Sequence, residues 1–218
     1  MNGISSIKTG GIQRAGTCGT GSSGSRSGKP PWIKIRLAGG QEYRRIKKLK
    51  EIKSLNTVCE AARCPNLAEC WSQGHATFMV LGDICTRNCR FCSVTSGTPG
   101  QIDPEEPARV AEAALRMGLS HTVVTSVTRD DLGDGGAGIF AAVINELRGR
   151  IPASSVEVLV PDFGGNWASL ERVLEAGPDI LGHNIETVTR LYKLVRPQAR
   201  YSRSLALLNT AKKAAAGY

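Results

Sequence analysis

Thr77-Phe78-Met79-Val80-Leu81 runs through Gly82-Asp83-Ile84 into Cys85-Thr86-Arg87-Asn88-Cys89-Arg90-Phe91-Cys92. The first five residues read as a buried strand, and the octapeptide after them sets three thiols at C-x3-C-x2-C spacing. Three soft ligands in one short loop can hold three irons of a 4Fe–4S cube and leave the fourth iron open. An open iron can bind a substrate or cofactor as well as pass electrons.

Downstream of that loop, strands alternate with helices. Asp103-Pro104-Glu105-Glu106 predicts a helix start, with Asp103 as N-cap and Pro104 in the first turn. Ala111, Ala114 and Leu115 form its expected inner face, and Gly118 its stop. Thr122–Val127 reads as the next strand, and Phe140, Val143, Ile144 and Leu147 as one face of the next helix. Val156–Val160 is a third strand, Asn166 caps a helix through Leu170, Val173 and Leu174, and Ile180-Leu181 opens a short fourth strand. Helices over about 187–195 and 204–216 follow, split by Pro197. Such a pattern predicts an α/β fold of right-handed βαβ units around a parallel sheet, a barrel with its site on the loops after the strands. The Cys85 loop, Asp130-Asp131, Asp162-Phe163 and His183-Asn184 all fall there. Four βα units do not close a barrel, so a chain stopping at Gly217-Tyr218 reads as a fragment.

Upstream, residues 1–28 are Gly/Ser-rich with Lys8, Arg14 and Arg26 and no acid, which predicts a disordered leader containing an incidental Cys18. A transit peptide has similar composition, so the predicted compartment is cytoplasmic, with a mitochondrial or plastid matrix as alternative. Residues 29–75 form an N-terminal extension and 76–218 the incomplete barrel. Lys29–Ile35 reads as extended. Arg44–Lys53 reads as a helix with Ile46, Leu49 and Ile52 inward and Arg45, Lys47, Lys48, Lys50 and Lys53 outward, as a solvated face rather than a docking surface.

A second triplet, Cys59, Cys64 and Cys70, follows at C-x4-C-x5-C and ahead of the strand at 77. Six of the seven cysteines thus fall in two tight groups, which favours metal over disulfides. Structural zinc sites usually take four ligands, commonly as two C-x2-C pairs, and only Cys89 and Cys92 have that spacing. Three-plus-three suits two iron–sulfur cubes better. The 218 residues, 41% hydrophobic, suffice for one sizeable core, and no apolar run is long enough to span a membrane. The net charge of +9 permits nucleic acid or an acidic protein as partner, but aromatics at 5% show no basic–aromatic alternation for stacking bases.

The C-x3-C-x2-C loop with an aromatic before its last Cys resembles the signature of the radical S-adenosylmethionine (SAM) enzymes. The second triplet, with Cys64-Pro65-Asn66-Leu67 and Glu69-Cys70-Trp71, is similar to the lipoyl synthase family. So are Val127-Thr128-Arg129-Asp130-Asp131-Leu132, Asp134-Gly135-Gly136-Ala137 and His183-Asn184-Ile185-Glu186-Thr187-Val188. The likeness runs from Lys29 to the last residue. It implies a partial TIM-type (βα) barrel of the radical SAM kind, with about four of six βα units present.

The resemblance implies roles residue by residue. Cys85, Cys89 and Cys92 would hold the SAM-binding 4Fe–4S cluster, and Cys59, Cys64 and Cys70 an auxiliary 4Fe–4S cluster that is the sulfur source. Phe91 would lie near the adenine, or else anchor the loop in the core. Asn184 and Glu186 would contact SAM, or else belong to a helix start capped by Asn184 or Thr187. Asp130, Asp131 and Asp134 could orient SAM or cap the following helix, His183 reads as a satisfied loop histidine, and Arg196 as an anion partner or a solvated turn.

The implied reaction inserts two sulfurs at carbons six and eight of an octanoyl chain on a carrier lysine. Its methylene C–H bonds lack usable acidity, hence the radical. The implied partners are octanoylated lipoyl carrier domains, namely acyltransferase subunits of 2-oxoacid dehydrogenases and the glycine cleavage H protein, with a flavodoxin or ferredoxin-type reductant. The family's fourth auxiliary ligand is a serine near its C-terminus, a role Ser202 and Ser204 do not fit. The alternatives are a tRNA methylthiotransferase-like radical SAM enzyme, which the basic charge would suit, and a non-catalytic iron–sulfur remnant.

Overall fold

The computed structural model describes residues 40–215 except Arg63 and Gly74. The leader at 1–28, Cys18 and the segment Lys29–Ile35 lie outside the described residues. Helix α1 (Gln41–Ile52) leads into β1 (Asn56–Thr57), α2 (Val58–Ala61), α3 (Leu67–Ser72) and β2 (Thr77–Val80). Then come β3 (Ile84–Cys85), β4 (Thr95–Ser96), α4 (Glu106–Met117), β5 (His121–Ser126), α5 (Ala137–Arg150), β6 (Ser155–Leu159), α6 (Trp167–Glu175) and β7 (Ile180–Gly182). The short α7 (Tyr192–Val195) and the long α8 (Tyr201–Ala215) complete the order.

The main sheet runs β1-β2-β5-β6-β7. Strands β2, β5, β6 and β7 pair in parallel, with Phe78 opposite Val124, Val124 opposite Val158 and Val158 opposite Leu181. Side chains alternate across a strand, so this register lines Phe78, Val80, Val124, Val156 and Val158 on one face. That face forms a single core with Ala111 and Ala114 of α4, Phe140, Ile144 and Leu147 of α5, and Leu170 and Val173 of α6. The four βα units expected from the alternation are present. A two-residue strand, β1, adds to the sheet antiparallel ahead of them, so the second cysteine triplet follows the first strand instead of preceding it.

Four local expectations need correction. Ile52 does not point inward: it is 64% exposed. The chain reverses at Ser54, whose φ is +50°, and Leu55 swings in beside Leu49 instead. Leu115 is 50% exposed, because α4 presents Val110, Ala111, Ala113 and Ala114 to the core, small residues that let α5 approach closely. Asp103 does not cap α4. Its carboxylate accepts the Glu105 N–H at 2.9 Å and pairs with Arg109 at 2.7 Å, stabilising a turn before the helix, with Pro107 in the first helical turn. The helix starts at Glu106 because that carboxylate reaches back to accept the Leu81 N–H at 2.8 Å. On α1, Lys50 and Lys53 are not free solvated cations but pair with Glu60 and Glu112.

Other signals hold. Gly118 closes α4 in the left-handed region at φ +66°, and the Asn166 side chain accepts the Ser169 N–H to cap α6. Gly136, at φ +88°, enters α5 so tightly that a Cβ there would sit 2.2 Å from Leu81 Cδ1. Gly136→Ala should therefore destabilise the fold by about 2–4 kcal/mol, combining left-handed strain with overpacking. A denaturant midpoint unchanged from the parent would contradict that packing.

Candidate functional site

The loops at the C-terminal ends of β2, β5, β6 and β7 do meet. After β2 the chain turns at Leu81, whose φ of +70° is unusual for a branched residue. Its N–H goes to Glu106, its carbonyl accepts from Arg129, and its side chain abuts Gly136. The cysteine loop begins on β3, which pairs in parallel with β4. Thr86 binds the Thr128 carbonyl through both its N–H (3.0 Å) and its hydroxyl (2.9 Å), and its Oγ1 accepts the Asp130 N–H at 3.0 Å. This latches the loop to the one after β5.

Arg87, between the first two loop cysteines, makes the strongest tie. Its guanidinium holds Asp130 in a bidentate pair at 2.7 and 2.8 Å and reaches Asp162, after β6, at 2.5 Å. Arg203 of α8 meets the other Asp162 oxygen at 3.2 Å, and the Gly164 N–H donates to Oδ1 at 3.1 Å. The Arg87 side chain is 4% exposed and that of Asp162 is 0%. Burial alone would lower the Arg87 pKa, yet the two carboxylates more than offset it and hold the group charged. Burial likewise works to raise Asp162, and Arg87 overrides it, leaving the carboxyl below its ordinary range. Nothing in the spacing of Arg87 pointed to this network.

The loop thiols are free. Cys85 Sγ accepts N–H groups from Arg87 at 3.4 Å and Thr128 at 3.3 Å, contacts of the kind that stabilise cluster thiolates. Burial raises the Cys89 pKa, the Arg196 guanidinium opposes it, and the nearby Cys85 and Cys92 raise it further. Among the described residues no group of three His, Cys, Asp or Glu side chains closes on a single ion. In an iron–sulfur cluster each thiolate takes a different iron, and this soft, all-sulfur donor set fits one.

Phe91 is 52% exposed, so it does not anchor the loop in the core. Asn184 and Glu186 are exposed past β7, and no helix starts there; Glu186 has φ +64°. Asp134 does the capping, accepting the Gly136 N–H at 2.9 Å and the Gly138 N–H at 2.8 Å at the start of α5. Asp130 and Asp131 pair with Arg87 and Arg129 instead. His183 is satisfied: Nδ1 donates to the Val160 carbonyl and Nε2 accepts from Ser204, both at 2.9 Å. Burial lowers its pKa, in keeping with a neutral ring.

The second triplet stands elsewhere. Cys59 on α2 and Cys70 on α3 border a cavity of about 430 Å³ lined also by Ala76, Met117, Leu119 and Val123, beside the starting ends of β2 and β5. Burial, then Cys59, then Cys64, raises the Cys70 pKa. Trp71, fully buried against Tyr43 at 5.3 Å and Ile46, fixes α3 on α1.

Residues 79–216 match the family model described as the radical SAM superfamily, and the chain belongs to that superfamily. An iron–sulfur cluster and SAM come with it. Residues 19–64 match the N-terminal domain of lipoyl synthase. Proteins named lipoyl synthase are 58% identical over 186 residues in Symbiobacterium thermophilum, 54% over 187 in Rubrobacter xylanophilus and 55% over 184 in Caldanaerobacter subterraneus. These alignments take in 84–86% of this chain, which spans only 58–64% of the relatives' own length. The crystal structure of methylornithine synthase aligns with a TM-score of 0.50 at 15% identity, over 78% of this chain and 52% of the other, a likeness of fold alone.

Proposed function

We propose that the protein is a lipoyl synthase, in which Cys85, Cys89 and Cys92 hold the SAM-binding cluster and Cys59, Cys64 and Cys70 the auxiliary one. What supports this reading is the pair of separate cysteine triplets in a chain whose relatives bear that name. The methylthiotransferase alternative has no comparable support. The bound groups would supply an electron that cleaves SAM to methionine and a 5′-deoxyadenosyl radical, and sulfur for the substrate.

The chain's own residues hold and shield. Thr86, Arg87 and Ser96, whose Oγ donates to the Arg87 carbonyl at 2.9 Å, keep the ligand loop in one shape. Exposed Phe91, Asn184 and Glu186 are available to SAM without first leaving the core. The substrate would be an octanoyl-lysine on a lipoyl carrier domain, with a flavodoxin or ferredoxin-type protein as reductant. The net charge of +9 suits acidic partners of that kind.

The anaerobically reconstituted full-length enzyme should carry about eight irons. With SAM, reductant and an octanoyl-lysine peptide it should release 5′-deoxyadenosine and form a product with two added sulfurs. A fully loaded protein that cleaves SAM but leaves the octanoyl chain unthiolated would overturn the reading.

A further inference from the structure

Arg196 is left unused by the chemistry above, yet it is built into the cysteine loop. The Arg90 N–H donates to the Val195 carbonyl at 3.0 Å, and the Asn88 N–H donates to the Gln198 side-chain oxygen at 3.4 Å. The two residues flanking Cys89 are therefore tied to residues on either side of Arg196. The arginine is itself held. Its Nη1 donates to the carbonyls of Asn184 at 2.7 Å and Ile185 at 3.3 Å, and its guanidinium lies 5.5 Å from the centre of the Tyr192 ring. Its Nε is buried and has no hydrogen-bond partner among the described residues. A buried donor of a charged group left unpaired is costly, and such groups in native proteins generally serve a partner. The backbone tie of Arg90 to Val195 brings Cys89 alongside, and the Arg196 charge and hydrogen-bonding capacity act on that thiol.

We propose that Arg196 is a positioning residue for the cluster of the Cys85–Cys92 loop, offering its Nε–H and its positive charge to the Cys89 side of that cluster. Reduction adds one electron, and so one negative charge, to the cluster. A fixed cation beside it favours the reduced form and raises the reduction potential, as hydrogen bonds to the sulfurs do. Nη1, anchored on the loop after β7, fixes the distance at which the charge acts. Lysine could supply the charge but not the planar fork. The inference rests on the assignment of Cys85, Cys89 and Cys92 to a cluster.

The test uses the reconstituted 218-residue chain and follows the cluster whose paramagnetic resonance signal responds to SAM. Arg196→Gln should shift the midpoint potential of that cluster to more negative values, with the other cluster unmoved, and Arg196→Lys should recover most of the shift. A purely structural arginine would lower the melting temperature of both variants and leave the potential alone. A second measurement needs no potential: with arginine labelled by 15N in the guanidino group, pulsed resonance of the reduced parent should show a weak nitrogen coupling that Arg196→Lys abolishes. Equal potentials in parent and Arg196→Gln, or no such coupling in the parent, overturn the proposal. A chain that takes up no SAM-responsive cluster overturns the cysteine assignment itself. A loaded cluster indifferent to Arg196 defeats this inference alone.

Discussion

Asp162→Ala is expected to destabilise the fold by about 3–5 kcal/mol, the usual cost of stranding one member of a buried ion pair. The loss is large because Arg87 cannot move to water: its side chain is 4% exposed, and the loop carrying it is latched at Thr86. Arg203 loses a partner too, though it is less buried. Asp130→Ala should cost far less, about 1 kcal/mol or below, since Asp130 is more than a third exposed and Arg87 would keep Asp162. Urea unfolding of the cluster-free chain measures both, and equal costs would contradict the asymmetry of burial. The pH dependence has a definite sign. The folded Asp162 pKa lies below the ordinary 3.8, so its contribution is complete above that value. The gap between parent and Asp162→Ala should be flat from neutral pH to about pH 4 and close as pH falls further, through the folded pKa.

The second large effect separates the two thiol triplets. Cys85→Ala should remove about four of eight irons and all SAM cleavage. Cys59→Ala should also remove about four irons, yet leave 5′-deoxyadenosine formation in place while dithiolated product is lost. The expectation rests on the proposed assignment of the two triplets and on their placement: Cys59 and Cys70 border a cavity at the starting ends of β2 and β5, and the loop cysteines follow the far end of β2. Iron analysis and chromatography of the nucleoside measure both. Loss of SAM cleavage in Cys59→Ala would show that the triplets do not act apart.

What the sequence made legible was local. The spacing of Phe140, Val143, Ile144 and Leu147 reports a helix face because all four pack on the same sheet, and each is fully buried. The cysteine spacings are legible because each triplet falls within one short segment of the chain. The ion network was not legible, since Arg87 meets partners 43 and 75 residues away and only the parallel register brings those loop tips together. Asp103-Pro104 misled for a related reason. Local capping chemistry was sound, but a distant amide at Leu81 captured Glu106 and moved the helix start. The second triplet's distance from the loop was hidden as well, because it follows from the antiparallel turn of β1 along β2.

The left-handed turn at Leu81 has a thermodynamic meaning. A branched residue held at positive φ costs on the order of 1–3 kcal/mol, and here the Glu106 acceptor, the Arg129 donor and the close Gly136 contact all impose it. The entry to the cysteine loop is therefore ordered when the chain folds, before any iron arrives. Its conformational entropy is surrendered to the core, and cluster assembly has that much less disorder to overcome.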